Sequence, residues 1–186
     1  TTRAGPIFHH VILAAVEQFN RVHQHAPLRT RIGLESGEML LGDIGGEQRY
    51  EYRAIGDIVN TAARIQGLNQ PLGTRVLISA ATLEGPGEMQ ARDVGTFLLR
   101  GKLLPVRVLE PLSGATCVLG AEALTEFARG LAAFRAGAWQ EAFDRFAALA
   151  ARYPDDGPSS YYDLMARKFL DEAPPSWSGA IRLTAK

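Results

Sequence analysis

The stretch "YEYRAIGDIVNTAARIQGLN", Tyr50 to Asn69, changes period partway along, and this constrains the fold more than any other feature of the chain. Its first half alternates as a strand does, with every second residue on one face. The pattern turns at Gly56, and from Ile58 to about Leu68 the apolar residues recur at helical spacing. A strand that feeds a helix through one glycine belongs to a sheet covered by helices. Gly56 reads as the tight turn, and Asp57, just before the helix, as its N-cap. On the helix, Val59, Ala62 and Ala63 can face the sheet, while Asn60 and Arg64 share another face at i and i+4.

That polar pair admits two readings. A solvated helix face would carry it without further purpose. Beside a glycine turn and near a helix start, the same pair could hold a phosphate ester. The amide would position a sugar or bridging oxygen, and the guanidinium would meet charge developing on phosphate. A second basic pair, Arg100 and Lys102, flanks a glycine in "LLRGKLLPV". It could bind a polyphosphate tail or simply be solvated.

Composition limits where such an anion could bind. Twenty basic and twenty acidic side chains cancel, so no global field recruits nucleic acid or an anionic membrane, and any anion site is local. An apolar fraction of 46% with 22% charged residues is that of a soluble globular protein. The 186 residues suffice for one domain, or for a smaller domain plus an appendage. The single cysteine, Cys117, excludes an internal disulfide and fits a reducing compartment. No apolar run approaches the roughly 18 residues needed to cross a bilayer, and the N-terminus lacks the pattern of a signal peptide. None of His9, His10, His23 and His25 stands at i, i+4 with a carboxylate, and no cysteine is near them, which argues against a metal site there. The chain has no P-loop, dinucleotide glycine fingerprint or serine-nucleophile elbow.

Up to about Leu112, helix and strand signals are interspersed, giving an α/β or α+β class. "PIFHHVILAAVEQFNRVHQH" predicts a helix, with Phe8, Ile12, Ala15 and Phe19 at helical spacing. "LRTRIGLESGEMLLGDIG" predicts a strand running into a glycine-rich turn at Gly42 to Gly46, with "QRYEYRAIG" as the return strand. "TRVLIS" predicts a buried strand, "AATLEG" a short helix ended by glycine, and "GTFLLRGKLLPVRVLEP" a final hairpin. After Ser113 the strand signals stop, so the chain divides into residues 1–112 and 113–186. Two amphipathic helices flank Gly137, with Trp139, Ala142, Phe146 and Leu149 on the inner face of the second. "SSYYDLMARKFLDE" adds another helix, and a tail carries Trp177. The Gly, Trp, Ala and Pro placements resemble one tetratricopeptide-type hairpin. A plain helical extension packed on the first region explains them equally, since one such repeat is too few for a free-standing array.

Taken together, "RIGLESGEMLLGDIGGEQRYEYRAIGDIVNTAARIQGLNQPLGTRVLIS" resembles the second half of a class III nucleotidyl cyclase catalytic domain. The matching elements are R-I-G-x-x-x-G, "GDIG", I-G-D-x-V-N-x-A-A-R, P-x-G and I-S, in that order. "FLLRGKLLPVRVLEP" resembles the closing hairpin of that domain, so the likeness runs from about Pro6 to Pro111. The tail is similar to the C-terminal extension of bacterial adenylate cyclases that carry a sensor and membrane helices upstream. The resemblance implies an α+β, ferredoxin-like cyclase sheet, N-terminally incomplete, followed by an α-helical, tetratricopeptide-like extension.

It also implies a reaction. The ribose 3′-hydroxyl of a nucleoside triphosphate attacks the α-phosphate, expels pyrophosphate and closes a cyclic monophosphate. By position, Asn60 would orient the ribose and Arg64 would stabilise the transition-state phosphate. Arg100 would grip the terminal phosphates with Lys102 as near neighbour, and Arg53 falls on a purine-reading position. Sites of this family form between two catalytic domains packed head to tail, which implies a homodimer. The family's Mg²⁺ or Mn²⁺ ligands lie in segments upstream of the helix near Pro6, so they are expected before residue 1 and the 186 residues alone are expected to be inactive. The leading expectation is an adenylate cyclase acting on ATP in signal transduction, its catalytic domain cytoplasmic and its parent anchored in the inner membrane only through upstream segments. The rival is a catalytically incomplete regulatory module whose helical extension docks a partner.

Overall fold

Strand β4, Val76–Ser79, is buried at all four positions, so it has packed layers on both faces. The computed structural model describes residues 5–23, 26–46, 49–83, 89–112 and 117–183, with side chains except at 5–10 and 43–55. In it β4 lies second in a five-stranded mixed sheet. On one side β1, Ile32–Leu34, runs parallel to it, with Ile32 opposite Val76 and Leu34 opposite Ile78. On the other side β6, Val106–Pro111, runs antiparallel to both β4 and β5, Ala91–Leu98. The two-residue β7, Ile181–Arg182, closes the far edge parallel to β5. A separate antiparallel hairpin pairs β2, Leu40–Gly46, with β3, Arg49–Ile55, setting Gly42 opposite Arg53.

Several sequence expectations are corrected here. The segment read as one strand and a glycine turn is two strands separated by residues 35–39, and "GDIG" lies inside β2. Glycine tolerates extended backbone, so its density alone did not mark the turn; cross-strand pairing with Tyr50, Glu51, Tyr52 and Arg53 holds these residues straight. The helix after Gly56, α2, spans Asp57–Leu72 and continues through Pro71 in its last turn. It stops at Gly73, whose left-handed backbone (φ 66°) brings its N–H to Asn69 and Gln70 carbonyls. β5 begins four residues before the expected Gly95. The glycine expected to end the short helix α3, Ala80–Leu83, lies outside the described residues.

The alternation of β4 sorts its side chains between two cores. Val76 and Ile78 meet Leu13 of α1, Gly5–Val22, and Leu109 of β6. Leu77 belongs to the larger core, together with Ile65, Leu68 and Leu72 of α2 and Val94 and Phe97 of β5. The helices after residue 117 close that same core: α4, Ala121–Ala136; α5, Trp139–Arg152; and α6, Gly157–Asp171. They contribute Phe127, Phe134, Phe146 and Tyr162, all fully buried. Each such side chain stabilises by about 1.5–3 kcal/mol. The helical segment is thus integral to the sheet's own core.

A buried charge cluster crosses the same boundary. Arg92 on β5 donates from Nε to Glu110 on β6 at 2.6 Å, and from Nη2 and Nη1 to Asp156 at 2.6 and 3.2 Å. Asp156 is the N-cap of α6, accepting from the Ser159 N–H at 3.1 Å and its hydroxyl at 2.5 Å. The guanidinium also lies 4.8 Å from the Phe127 ring centroid. Burial pushes the Glu110 carboxyl up to about 7, only partly opposed by Arg92, because one cation serves two carboxylates. Burial would lower Arg92, but Glu110 and Asp156 outweigh it and hold the guanidinium above its ordinary value.

Candidate functional site

The first half of α2 meets the β5–β6 turn, residues 99–105, and this junction collects most of the residues singled out in the sequence. The buried face of α2 consists of Thr61, Ile65, Leu68, Asn69 and Leu72. Asn60 falls outside that stripe and is exposed, while Arg64 flanks it and is half-buried. Midway along the helix, Gly33 of β1 touches α2 backbone to backbone. A Cβ there would stand 2.3 Å from the Gln66 nitrogen and 2.5 Å from the Ala62 carbonyl oxygen.

Arg64 reaches the β5–β6 turn. Its Nη2 would be 3.3 Å from a Cβ placed on Gly101, whose φ of 69° is left-handed. The glycine therefore serves the turn and leaves room for the guanidinium. Arg64 Nη1 is shielded from solvent and has no hydrogen-bond partner among the described residues. Such a donor is costly to leave unmet when it is buried. The next residue, Lys102, donates its amide to the Leu99 carbonyl at 3.0 Å and pairs its ammonium with the Asp57 carboxylate.

That ion pair corrects the reading of Asp57. The N-cap position is Gly56, which makes no side-chain cap, and Asp57 is the first helical residue. Its charge still complements the helix N-terminus, but its specific partner comes from 45 residues further along the chain. Gly56 is likewise not needed for its backbone angle, since φ is 163° and extended. Space around it is close but not closed: a Cβ would meet Ile58 Cγ2 at 3.2 Å and the Glu38 carbonyl at 3.4 Å.

The two members of the second basic pair differ. Arg100 is exposed, while the Lys102 side chain is only 19% exposed and lines a cleft of about 460 Å³. That cleft is walled by Glu35, Glu38, Asp57, Thr61, Ser79 and Arg107, among others. Glu35 accepts from the Ser79 hydroxyl at 2.9 Å at its floor. Neither Asn60, Arg64 nor Arg100 lines the cleft. Asn60 and Arg100 are exposed and Arg64 is half-buried. Arg53 lies on β3, and its side chain is outside the described residues. Among the described residues no group of three His, Cys, Asp or Glu could hold a metal ion, and no helix is long and apolar enough to cross a membrane. Sequence reasoning missed Gly101 as the seat of Arg64. The only signal was a glycine held between two basic residues.

Comparison with known proteins gives a consistent picture. Residues 8–110 match the family model described as adenylate and guanylate cyclase catalytic domain. Adenylate cyclase 1 of Rhizobium meliloti is 33% identical over 114 residues, covering 59% of this chain and 17% of that protein. The terminal-differentiation specific adenylate cyclase of Dictyostelium discoideum is 29% identical over 142 residues, 73% of this chain and 7% of its own length. The chain thus spans a small part of both. Among solved structures, a bacterial light-regulated adenylyl cyclase aligns over 65% of this chain and 35% of its own, with a TM-score of 0.50 at 20% identity, a likeness of fold.

Proposed function

Because the chain belongs to the adenylate and guanylate cyclase catalytic domain family, we propose that it carries part of an adenylate cyclase site converting ATP to 3′,5′-cyclic AMP and pyrophosphate. In that reaction the ribose 3′-oxygen attacks the α-phosphorus and loses its proton. The bond from the α-phosphorus to the oxygen bridging to the β-phosphate breaks, and pyrophosphate leaves with that electron pair. Negative charge grows on the phosphoryl oxygens as the new bond forms. Arg64 meets that charge, Asn60 orients the ribose, and Arg100 with Lys102 holds the terminal phosphates. Arg53 stands on the strand that approaches the purine.

One observation supports this reading above the others. A half-buried guanidinium on α2 is seated on the glycine between Arg100 and Lys102, and one shielded nitrogen has no hydrogen-bond partner among the described residues. Residues 37 positions apart in sequence thereby form one anion-accepting junction. A merely solvated face would leave the Arg64 nitrogens to water. That two relatives are named as adenylate cyclases supports ATP as the substrate in this reading. The family's Mg²⁺ or Mn²⁺ does not fit the described residues, which lack a ligand cluster, and its ligands would come from other segments. A head-to-tail homodimer would complete each site, in a catalytic domain working in the cytoplasm. The helical hairpin of α4 and α5, paired around Gly137 much as a tetratricopeptide hairpin would be, shares the sheet's core, which favours a structural part over a separate docking module.

The test is Arg64→Ala in an active protein containing this chain. Loss of one donor to transition-state charge lowers kcat by roughly 10²–10³ with little change in nucleotide KM. An unchanged kcat would return Arg64 to the solvated surface.

A further inference from the structure

Helix α6 touches both elements that form the junction. Its first residue, Gly157, lies against the end of α2. A Cβ on Gly157 would stand 2.3 Å from the Leu72 carbonyl oxygen and 2.7 Å from Gly73 Cα, and a Cβ on Gly73 would stand 3.0 Å from Gly157 Cα. The two backbones approach so closely that neither position has room for a side chain. The meeting is head to tail, the carbonyl end of α2 against the amide end of α6, which is favourable for both helix dipoles.

The same helix grips β5. Its cap Asp156 holds Arg92, and one and a half turns on, Tyr162 donates to the Val94 carbonyl at 2.8 Å. That bond spans the β5 bulge at Gly95, where a Cβ would stand 2.1 Å from the Tyr162 hydroxyl. β5 runs on into the turn that carries Arg100, Gly101 and Lys102. α2 is in turn held at its middle by the backbone contact with Gly33. That contact flanks Arg64 at Ala62 and Gln66, so it is a shift of α2 along its axis or a rotation about it, set at the Gly73–Gly157 joint, that carries the guanidinium with it.

We infer that α6 is a positioning element for the cyclase reaction. Gly157, Asp156 and Tyr162 fix α2 against β5 so that the Arg64 guanidinium is seated on the Gly101 turn. This rests on the proposed role of Arg64 and assigns a function in catalysis to the C-terminal helical segment. None of the three residues touches substrate; they act through α2 and β5. Misplacement on the order of 1 Å of a group that stabilises the transition state can cost about 10²-fold in rate, so the thickness of one methyl group at the Gly157 joint is enough to matter.

The experiment is a double-mutant cycle in an active protein containing this chain. Gly157→Ala, Arg64→Ala and the double variant are assayed for kcat and nucleotide KM. We expect Gly157→Ala to lower kcat by about 10–100-fold while KM stays within about twofold. Added to Arg64→Ala, it should cause little further loss, because its effect runs through that guanidinium. Should Gly157→Ala not yield folded protein, Tyr162→Phe, which removes only the bond to Val94, serves in its place with an expected kcat loss of about threefold or more. Multiplicative losses in the double variant, or a kcat unmoved at both Gly157 and Tyr162 while Arg64→Ala is crippling, overturn the positioning role. A silent Arg64→Ala overturns instead the reading on which it rests. Hydrogen exchange on the 186-residue chain supplies a readout free of activity. Gly157→Ala should speed exchange at the amides of residues 59–64, and protection lost only within α4 to α6 counts against the inference.

Discussion

Replacing Arg92 with Met should destabilise the fold severely, and by an amount that depends on pH. The side chain is 5% exposed, and its partners Glu110 and Asp156 are 1% and 2% exposed. Met keeps an unbranched apolar side chain but removes the guanidinium from over the Phe127 ring and leaves two buried carboxylates without a cation. Removing one partner of a buried ion pair costs about 3–5 kcal/mol. With a urea m-value of about 2 kcal/mol/M, the unfolding midpoint falls by about 2 M. Glu110 supplies the pH signature. Its pKa is raised to about 7 in the fold, so the folded state binds the extra proton. The associated stability is fully present below the unfolded value near 4.5 and is lost as pH rises through about 7. At 1.36 kcal/mol per unit this amounts to about 3 kcal/mol for the parent chain between pH 4.5 and 8. In Arg92→Met the deficit relative to the parent should be smaller at pH 5, where Glu110 is protonated, than at pH 8. Urea unfolding followed by the fluorescence of Trp139 and Trp177, which pack on Phe134, measures both quantities. A midpoint shift below about 0.3 M, or equal deficits at pH 5 and 8, would refute the reasoning.

The site yields further expectations in an active protein containing this chain. Arg100→Ala should raise the KM for metal–ATP with a smaller change in kcat, since terminal phosphates are charged in ground and transition states alike; initial-rate kinetics across ATP concentrations decide it. Lys102→Ala should do the same, and Asp57→Ala, by releasing the Lys102 ammonium, should move KM without abolishing turnover. The 186-residue chain alone should make no detectable cyclic nucleotide even with excess Mn²⁺ if the family's metal ligands lie outside it. Product analysis on a preparation of verified mass checks this, and measurable turnover would show that the ligands had been assigned wrongly.

The parts of this fold legible in the sequence are those whose cause is local. The switch from β3 to α2 and the Gly137 turn between α4 and α5 follow from periodicity and from where glycine stands, whereas Val59 and Ala63, expected to face the sheet, are exposed. What stayed hidden depends on partners distant in sequence. Asp57 has every feature of a cap until Lys102 takes its carboxylate. Arg92 and Glu110 are buried as a pair, and the second carboxylate on Arg92, Asp156, comes from 64 residues further along the chain. "GDIG" reads as a turn because glycine suits both turns and straight strands, and β3 decides between them. The helical amphipathicity of residues 121–152 shows that one face is buried, while Val94 and Phe97 as its partners required the tertiary structure. Of the site itself, Arg64 was visible and its seat on Gly101 was not, since that contact joins two elements with a strand, a short helix and another strand between them.

The central claim is that this chain carries part of a site making 3′,5′-cyclic AMP from ATP. The most direct measurement is quantification of cyclic nucleotide and pyrophosphate formed by a folded protein in which this chain is joined to its flanking sequence, with Mg²⁺ or Mn²⁺ and either ATP or GTP. Cyclic AMP and pyrophosphate are expected in equal amounts from ATP, with a lower rate from GTP and a loss of at least about 10²-fold in that rate in Arg64→Ala. Cyclic product from neither nucleotide, or full activity in Arg64→Ala, would contradict that claim.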